Sequence, residues 1–330
     1  MISKTKKAKF KTQALNLKSK IDKKESNREG FKRGLLKAAE IDHRIVALSA
    51  GLKSSLRLSE FEKKYPDRFF ELGVAEQNMI GIAAGLALTG LVPFACSFAC
   101  FSPTLTFGQI RQSVCESAAN VKIVGSHGGV MTGADGISHQ ALEDIALMRT
   151  LPEMTVIVPA DSLEAEAATL AAAKINSPVY LRLTRPETPI LTQGQFEIGK
   201  AQILRQGTDL TIIGCGPILF EALKAAEILG KKGISVEVIN CSTIKPIDQA
   251  TVITSARKTG RVLTIEDHSI FGGLGSAVAE VLGQNQPTKM KIMGMESFAQ
   301  SARNFNQLIE KYRLDSYNIL KECLIFFRKN

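Results

Sequence analysis

From Arg28 onward, short runs of β-branched and aliphatic residues alternate with longer segments whose apolar positions recur at helical spacing. The short runs predict strands at residues 45–48, 121–125, 155–158 and 179–183, followed by a second series at 210–214, 235–239 and 262–265. Strands that are apolar throughout and separated by helices belong to a largely parallel sheet covered on both faces. The pattern therefore predicts an α/β protein of three-layer α/β/α build. The run Arg185-Pro186-Glu187-Thr188-Pro189-Ile190-Leu191-Thr192-Gln193-Gly194 follows neither period and is punctuated by proline and glycine, so a domain boundary is expected there, with domains at 27–192 and 193–330. The Gly214-x-Gly216 turn that opens the second series lacks a third glycine at dinucleotide-binding spacing and reads as a tight strand-to-helix turn.

One segment departs from the alternation. Phe69 to Met79 reads as an extended apolar run that delivers Glu76 to the start of a helix, and that helix (80–88) is apolar all round and rich in Gly and Ala. Such a helix is expected to be packed on both sides, with Glu76 at an interior or a subunit interface. A glutamate in a first helical turn is also favoured by the helix dipole, by about 0.3–1 kcal/mol, so position alone leaves both a structural and a chemical reading open.

Composition narrows the class. At 330 residues, 45% hydrophobic and 22% charged, the chain can bury two cores. No apolar run approaches the ~20 residues of a membrane span and no signal-peptide core is seen, so a cytoplasmic protein without a membrane partner is expected. Six cysteines without paired spacing predict reduced, mostly buried thiols. The formal charge of +10 is local: residues 1–33 hold 12 Lys/Arg against three Asp/Glu. That distribution predicts a basic, disordered tail over residues 1–26, and the lack of interleaved aromatics argues against a nucleic-acid partner.

Candidate chemistry gathers at predicted strand ends, where open α/β sheets take their ligands. His127 follows the strand at 121–125, and His139 lies in the long Gly-rich loop after it, together with Asp135. A loop of that length without regular structure is uncommon unless it is functional. The set His127, Asp135 and His139 lacks a zinc-like spacing, and no metal site is assigned. Arg185 leaves a buried-type strand carrying a guanidinium suited to a phosphate, with a surface ion pair as the plain alternative. Phe98 and Phe101, three apart, have the spacing of a helical core face. His43 reads as a surface residue, and His268 ends the strand at 262–265.

Gly73-Val74-Ala75-Glu76-Gln77-Asn78-Met79, the following Gly81-Ile82-Ala83-Ala84-Gly85-Leu86-Ala87, the segment 94–101 and the loop Gly125 to Gln140 resemble the pyrimidine-binding domain of the transketolase family. Gly214-Cys215-Gly216 and Gly272-Gly273-Leu274-Gly275 resemble its C-terminal domain, and the likeness covers residues 27–330. The resemblance implies dependence on thiamine diphosphate and transfer of a two-carbon ketol unit from a ketose phosphate to an aldose. By the same resemblance Glu76 holds a proton at the aminopyrimidine ring, and Phe98 and Phe101 stack on that ring. His127 contacts the substrate near its phosphate, Asp135 a sugar hydroxyl and His139 the reacting carbonyl, with Glu76 and His139 the catalytic pair. Arg185, and as a further candidate Ser55, meet the phosphate.

The family binds the cofactor's diphosphate and its Mg²⁺ or Ca²⁺ through a Gly-Asp-Gly motif on a separate domain, and this sequence contains no such motif. The resemblance thus implies the C-terminal half of a split transketolase, completed by a second subunit carrying the metal and self-associated through the same fold into a heterotetramer. Chemistry like that of 1-deoxy-xylulose-5-phosphate synthase is the alternative, disfavoured by Ser126-His127, and a non-catalytic partner subunit is another. Two departures stand out: Ser49-Ala50-Gly51 where acidic residues are usual, and Ala134 where one is common.

Overall fold

The computed structural model describes residues 23–328. The strands are β1 Lys24–Ser26, β2 Ile45–Ser49, β3 Phe69–Glu71, β4 Val92–Phe98, β5 Lys122–Ser126, β6 Thr155–Ile157, β7 Val179–Arg182, β8 Glu187–Pro189, β9 Gln202–Arg205, β10 Leu210–Gly214, β11 Val236–Asn240, β12 Thr243–Lys245, β13 Arg261–Ser269 and β14 Lys289–Met295. A seven-stranded sheet runs β12-β6-β7-β5-β4-β2-β3, a five-stranded sheet runs β14-β13-β10-β11-β9, and β1 pairs with β8. Both large sheets are parallel except at one edge each, where β12 lies antiparallel on β6 and β9 antiparallel on β11. The edge strand β12 comes from the second half of the chain and ties that half to the first sheet.

The longer helices are α1 Asn27–Ile41, α2 Glu76–Leu88, α3 Asp144–Thr150, α4 Ser162–Lys174, α5 Leu219–Gly230, α6 Gln249–Thr259, α7 Leu274–Asn285, α8 Phe305–Lys311 and α9 Ser316–Arg328. Strand β2 explains the layering: every residue is buried, with Ile45 and Ala47 packed towards α1 and α4, and Val46 and Leu48 towards α2 and α3. The α2–α3 core continues through α6 and α7 to the second sheet, whose other face is covered by α5, α8 and α9. Helices α1 and α4 cross very closely. A Cβ on Gly30 would lie 1.8 Å from the Ser162 carbonyl oxygen, so only glycine fits that crossing.

Four sequence expectations change. The segment around Phe98 is the buried strand β4 rather than a helical face, and Phe101 lies in the turn beyond it. Full burial hides the two-residue alternation, which left a coincidental three-residue spacing as the visible signal. The extended run before Glu76 is a strand only over Phe69–Glu71. Helix α2 is packed on one side, through Met79, Ile80, Ala83 and Ala84, while Gln77, Asn78, Gly81, Gly85 and Leu88 face outward. The basic tail ends earlier than expected: Lys24–Ser26 pair with Glu187–Pro189, and Ser26 caps α1 by accepting the Arg28 backbone N–H at 3.3 Å. The rest of that tail lies outside the described residues. All six cysteines are free thiols, five of them buried, and among the described residues no helix is long and apolar enough to cross a membrane.

Candidate active site

The carboxyl ends of β7, β5, β4, β2 and β3 stand side by side, so the loops leaving them converge on one edge of the first sheet. A cleft of about 510 Å³ opens there. Its walls carry Arg28, Arg57 and Arg185 with Ser54 and Ser55, and Phe98 with His127, Asp135 and His139. Ser55, Phe98, His127, Asp135, His139 and Arg185, all expected from the sequence, are thus brought together, and Phe101 joins them through its ring. Glu76 stands outside the cleft wall and reaches β4 through a hydrogen bond from Ser97 Oγ to its Oε1 at 3.0 Å.

Four rings form one cluster. Phe98 stacks on Phe101 with centroids 5.9 Å apart and lies 3.8 Å from the His127 ring. His139 meets Phe98 and Phe101 edge-on at 6.0 and 5.3 Å. His127 is buried, and its backbone adopts a left-handed φ of 60° that a side chain tolerates only when the surroundings hold it. They do so on several sides. Thr132 Oγ1 donates to the His127 carbonyl at 2.6 Å, and Ser126 Oγ lies 2.9 Å from its Nδ1. Asp267, from β13, accepts the Val130 and Met131 N–H groups at 2.9 and 3.2 Å and so clamps the loop that follows. Burial, with help from Arg28, Arg185 and His139, pushes the His127 imidazole down to about 3, and the ring is neutral at ordinary pH.

The cations are organised by backbone oxygens. Arg28 donates to the carbonyls of Ser55 at 2.8 Å and Arg185 at 2.9 Å, binding together three segments of the cleft wall. Burial, and after it the nearby Arg57 and Arg185, lower Arg28 to about 10. Arg185 donates to the Thr132 carbonyl at 3.0 Å and pairs with Asp135 at 2.9 Å. Arg28 and Arg57 were absent from the sequence-derived set. Arg28 opens the α/β pattern two residues after Ser26, and no local feature sets it apart from the other cations counted over residues 1–33.

The strand end lacking carboxylates at residues 49 and 51 is not without an acid. Glu71 of β3, the register partner of Ser49, accepts the Gly51 N–H at 2.7 Å and the Gly73 N–H at 3.3 Å. Among the described residues no three His, Cys, Asp or Glu side chains gather as a metal site.

Comparison with known proteins gives a consistent result. Residues 23–190 match the transketolase pyrimidine-binding domain and residues 199–319 the transketolase C-terminal domain. A 6-deoxy-6-sulfo-D-fructose transketolase subunit of Clostridium sp. (strain MSTE9) is 42% identical, with 87% of this chain and 90% of that protein covered. An apulose-4-phosphate transketolase subunit of Phocaeicola vulgatus is 38% identical, with 92% and 97% covered. Among solved structures, a split-gene transketolase described as an inactive beta4 tetramer superposes with a TM-score of 0.84 at 40% identity, covering 92% of this chain and 99% of that one.

Proposed function

The chain belongs to the transketolase family, and we propose that it is the pyrimidine-binding subunit of a two-chain, thiamine-diphosphate-dependent transketolase. It moves a two-carbon ketol unit from a ketose phosphate to an aldose. The observation that carries this reading is the convergence, in one cleft, of three arginines with a histidine–phenylalanine cluster, beside a glutamate at the head of a helix whose outer face is bare in this chain. The two named relatives act on different sugars, yet both sugars carry a sulfo or phosphate group. An anion-binding wall is what such substrates share.

The residues present fit one end of the cofactor. Glu76 offers a half-buried carboxylate with one oxygen fixed by Ser97, the residue that precedes Phe98 on β4, and Phe98 in turn stacks on Phe101. That donor set suits a nitrogen heterocycle such as the aminopyrimidine. Among the described residues no His, Cys, Asp or Glu cluster suits a metal-bound diphosphate, so that end, with its Mg²⁺ or Ca²⁺, belongs to the partner subunit. When bound, thiamine diphosphate supplies the nucleophilic carbon and the electron sink for cleavage of the carbon–carbon bond.

This chain's side chains bind, orient and move protons around it. Glu76 holds a proton at N1′ of the aminopyrimidine, with Ser97 fixing the carboxylate, and Phe98 and Phe101 set the plane of the ring. His139 hydrogen-bonds the oxygen atoms at the reacting carbonyl. His127, kept neutral, reaches the substrate without adding charge of its own, and Asp135 accepts a sugar hydroxyl while held by Arg185. Arg28, Arg185 and Ser55 hold the phosphate by charge-assisted hydrogen bonds. The bare face of α2, flanked by Val74 at 87% and Leu88 at 67% exposure, is the surface for assembly with other subunits. Self-association through this fold has a precedent in the tetramer of the split-gene relative.

The test is ketol transfer by this chain mixed with a diphosphate-binding subunit, thiamine diphosphate and Mg²⁺, with each component left out in turn. Activity that requires all four is the expected result. A stable complex of both subunits and the cofactor that transfers no ketol unit from any phosphorylated ketose overturns the reading.

A further inference from the structure

Arg57 carries no distinguishing mark in the sequence, yet its setting is unusual. It lies between Leu56 and Leu58, both fully buried, in a turn closed by hydrogen bonds from Arg57 N to the Ser54 carbonyl at 3.2 Å and from Leu58 N to the Lys53 carbonyl at 2.9 Å. The two leucines fix the backbone on either side, and Arg57 between them adopts a left-handed φ of 63°. Outside glycine that conformation costs about 1–2 kcal/mol. Despite this the position holds an arginine, and its guanidinium lines the cleft with Arg28 and Arg185 while Glu29 grips its Nε at 2.8 Å. Three guanidinium groups on one wall repel one another, and Arg57 and Arg185 add to the burial that chiefly lowers Arg28. An anion in the cleft relieves that repulsion, whereas an uncharged sugar does not.

We propose that Arg57 is a specificity-determining residue of the cleft, a third guanidinium that selects sugars ending in a phosphate or sulfonate over their uncharged counterparts. The proposal rests on the reading of the cleft as the site of an anionic sugar and deepens it by naming what sets the preference. Glu29 works with Arg57 as a tether, keeping the guanidinium at the cleft wall without filling the space an anion would take.

Arg57→Gly is the informative variant, because glycine accepts the left-handed backbone and the fold keeps its turn. The two-subunit enzyme is compared with its Arg57→Gly and Arg57→Lys variants on a hexulose 6-phosphate, the corresponding 6-sulfonate and the parent hexulose. KM is taken from ketol transfer, and affinity is measured separately by titration calorimetry. Arg57→Gly is expected to melt no lower than the unaltered protein and to weaken binding of the charged sugars about tenfold, in line with loss of one charge-assisted contact. The change falls on KM rather than kcat, the uncharged hexulose moves less than twofold, and Arg57→Lys restores part of the loss. A loss confined to the phosphate or to the sulfonate supports the proposal and names the anion. Equal weakening of charged and uncharged sugars, or none, overturns it. If no ketol transfer occurs at all, the proposed activity fails while calorimetry still decides the role of Arg57.

Discussion

The two sheets end their parallel strands in similar residues and use them in opposite ways. At the edge of the first sheet His127, His139, Asp135 and three arginines face a cleft, and Glu76 stands beside it. At the end of β13 in the second sheet, Glu266, Asp267 and His268 are buried and answered from within the chain. Glu266 accepts the N–H groups of Leu274 and Gly275, Asp267 those of Val130 and Met131, and His268 Nδ1 lies 2.8 Å from the Ser269 carbonyl. In this chain a titratable residue at the carboxyl end of a strand is therefore a candidate site residue only where the fold leaves it a space to face. Otherwise it is part of the packing. The second edge serves the first, because Asp267 clamps the loop that carries His127.

The sharpest way to break this contrast is Glu76→Ala. It leaves the cleft wall intact and removes only the carboxylate at the head of α2, so the fold should be unchanged by circular dichroism. Ketol transfer by the two-subunit enzyme should fall by roughly 10²–10⁴, the usual size of a lost proton-transfer group. Near-normal activity would show that the carboxylate is structural, like those at the second edge.

Two arginines three residues apart carry the same contrast into stability. Arg182 is buried and pairs with Asp144 at 2.7 Å, while also donating to the Asp267 carbonyl at 2.9 Å. Arg182→Ala should cost about 3–5 kcal/mol, because it leaves Asp144 charged and buried without its partner. Arg185 pairs with Asp135 at side-chain exposures of 41% and 30%, so Arg185→Ala should change stability by less than about 1 kcal/mol. On the proposed function its effect should fall on the substrate instead, as a rise of about tenfold in KM for a ketose phosphate. Denaturant unfolding and steady-state kinetics on both variants check the pair, and a reversal of the two phenotypes would dissolve the distinction between the edges.

How far this division could be read from the sequence depended on whether a signal was local. Strands rich in β-branched residues and buried on both faces, such as β2, β5 and β10, declared themselves within a residue or so. Strand β4 did not, because Ala95-Cys96-Ser97 at its centre lack β-branching, and β14 did not, because Lys289 and Lys291 mark it as a charged edge. The motifs around Glu76 and His127 were visible as contiguous words. What they meet was not. Arg28 reaches Ser55 and Arg185 across 27 and 157 residues of chain, and Glu71 serves Gly51 only because β3 lies beside β2. Pairing of β12 with the first sheet is likewise a long-range choice with no local mark. Sequence patterns report which surfaces want burial, whereas the identity of the partner emerges from topology.

The smallest effect expected is a difference in the direction of two titrations. Burial raises Glu266 from an ordinary 4.5 to about 7 and lowers His127 from 6.5 to about 3. Between those values the native state holds a proton on Glu266 that the unfolded chain has released. The resulting stabilisation is complete below 4.5 and is lost as the pH rises through about 7. For His127 the unfolded chain takes up the proton first, so its contribution favours unfolding increasingly as the pH falls from 6.5 towards 3. Glu266→Gln removes the first slope, and its stability relative to the unaltered protein should improve as the pH rises from 4.5 to 7. His127→Gln removes the second, and its relative stability should improve as the pH falls below 6.5. Thermal unfolding of the three proteins across that range checks both signs. Parallel curves for Glu266→Gln and the unaltered protein would mean that Glu266 is ionised in the native state, held by the two N–H groups and by the nearby Arg182, and that the second edge is organised by charge rather than by burial.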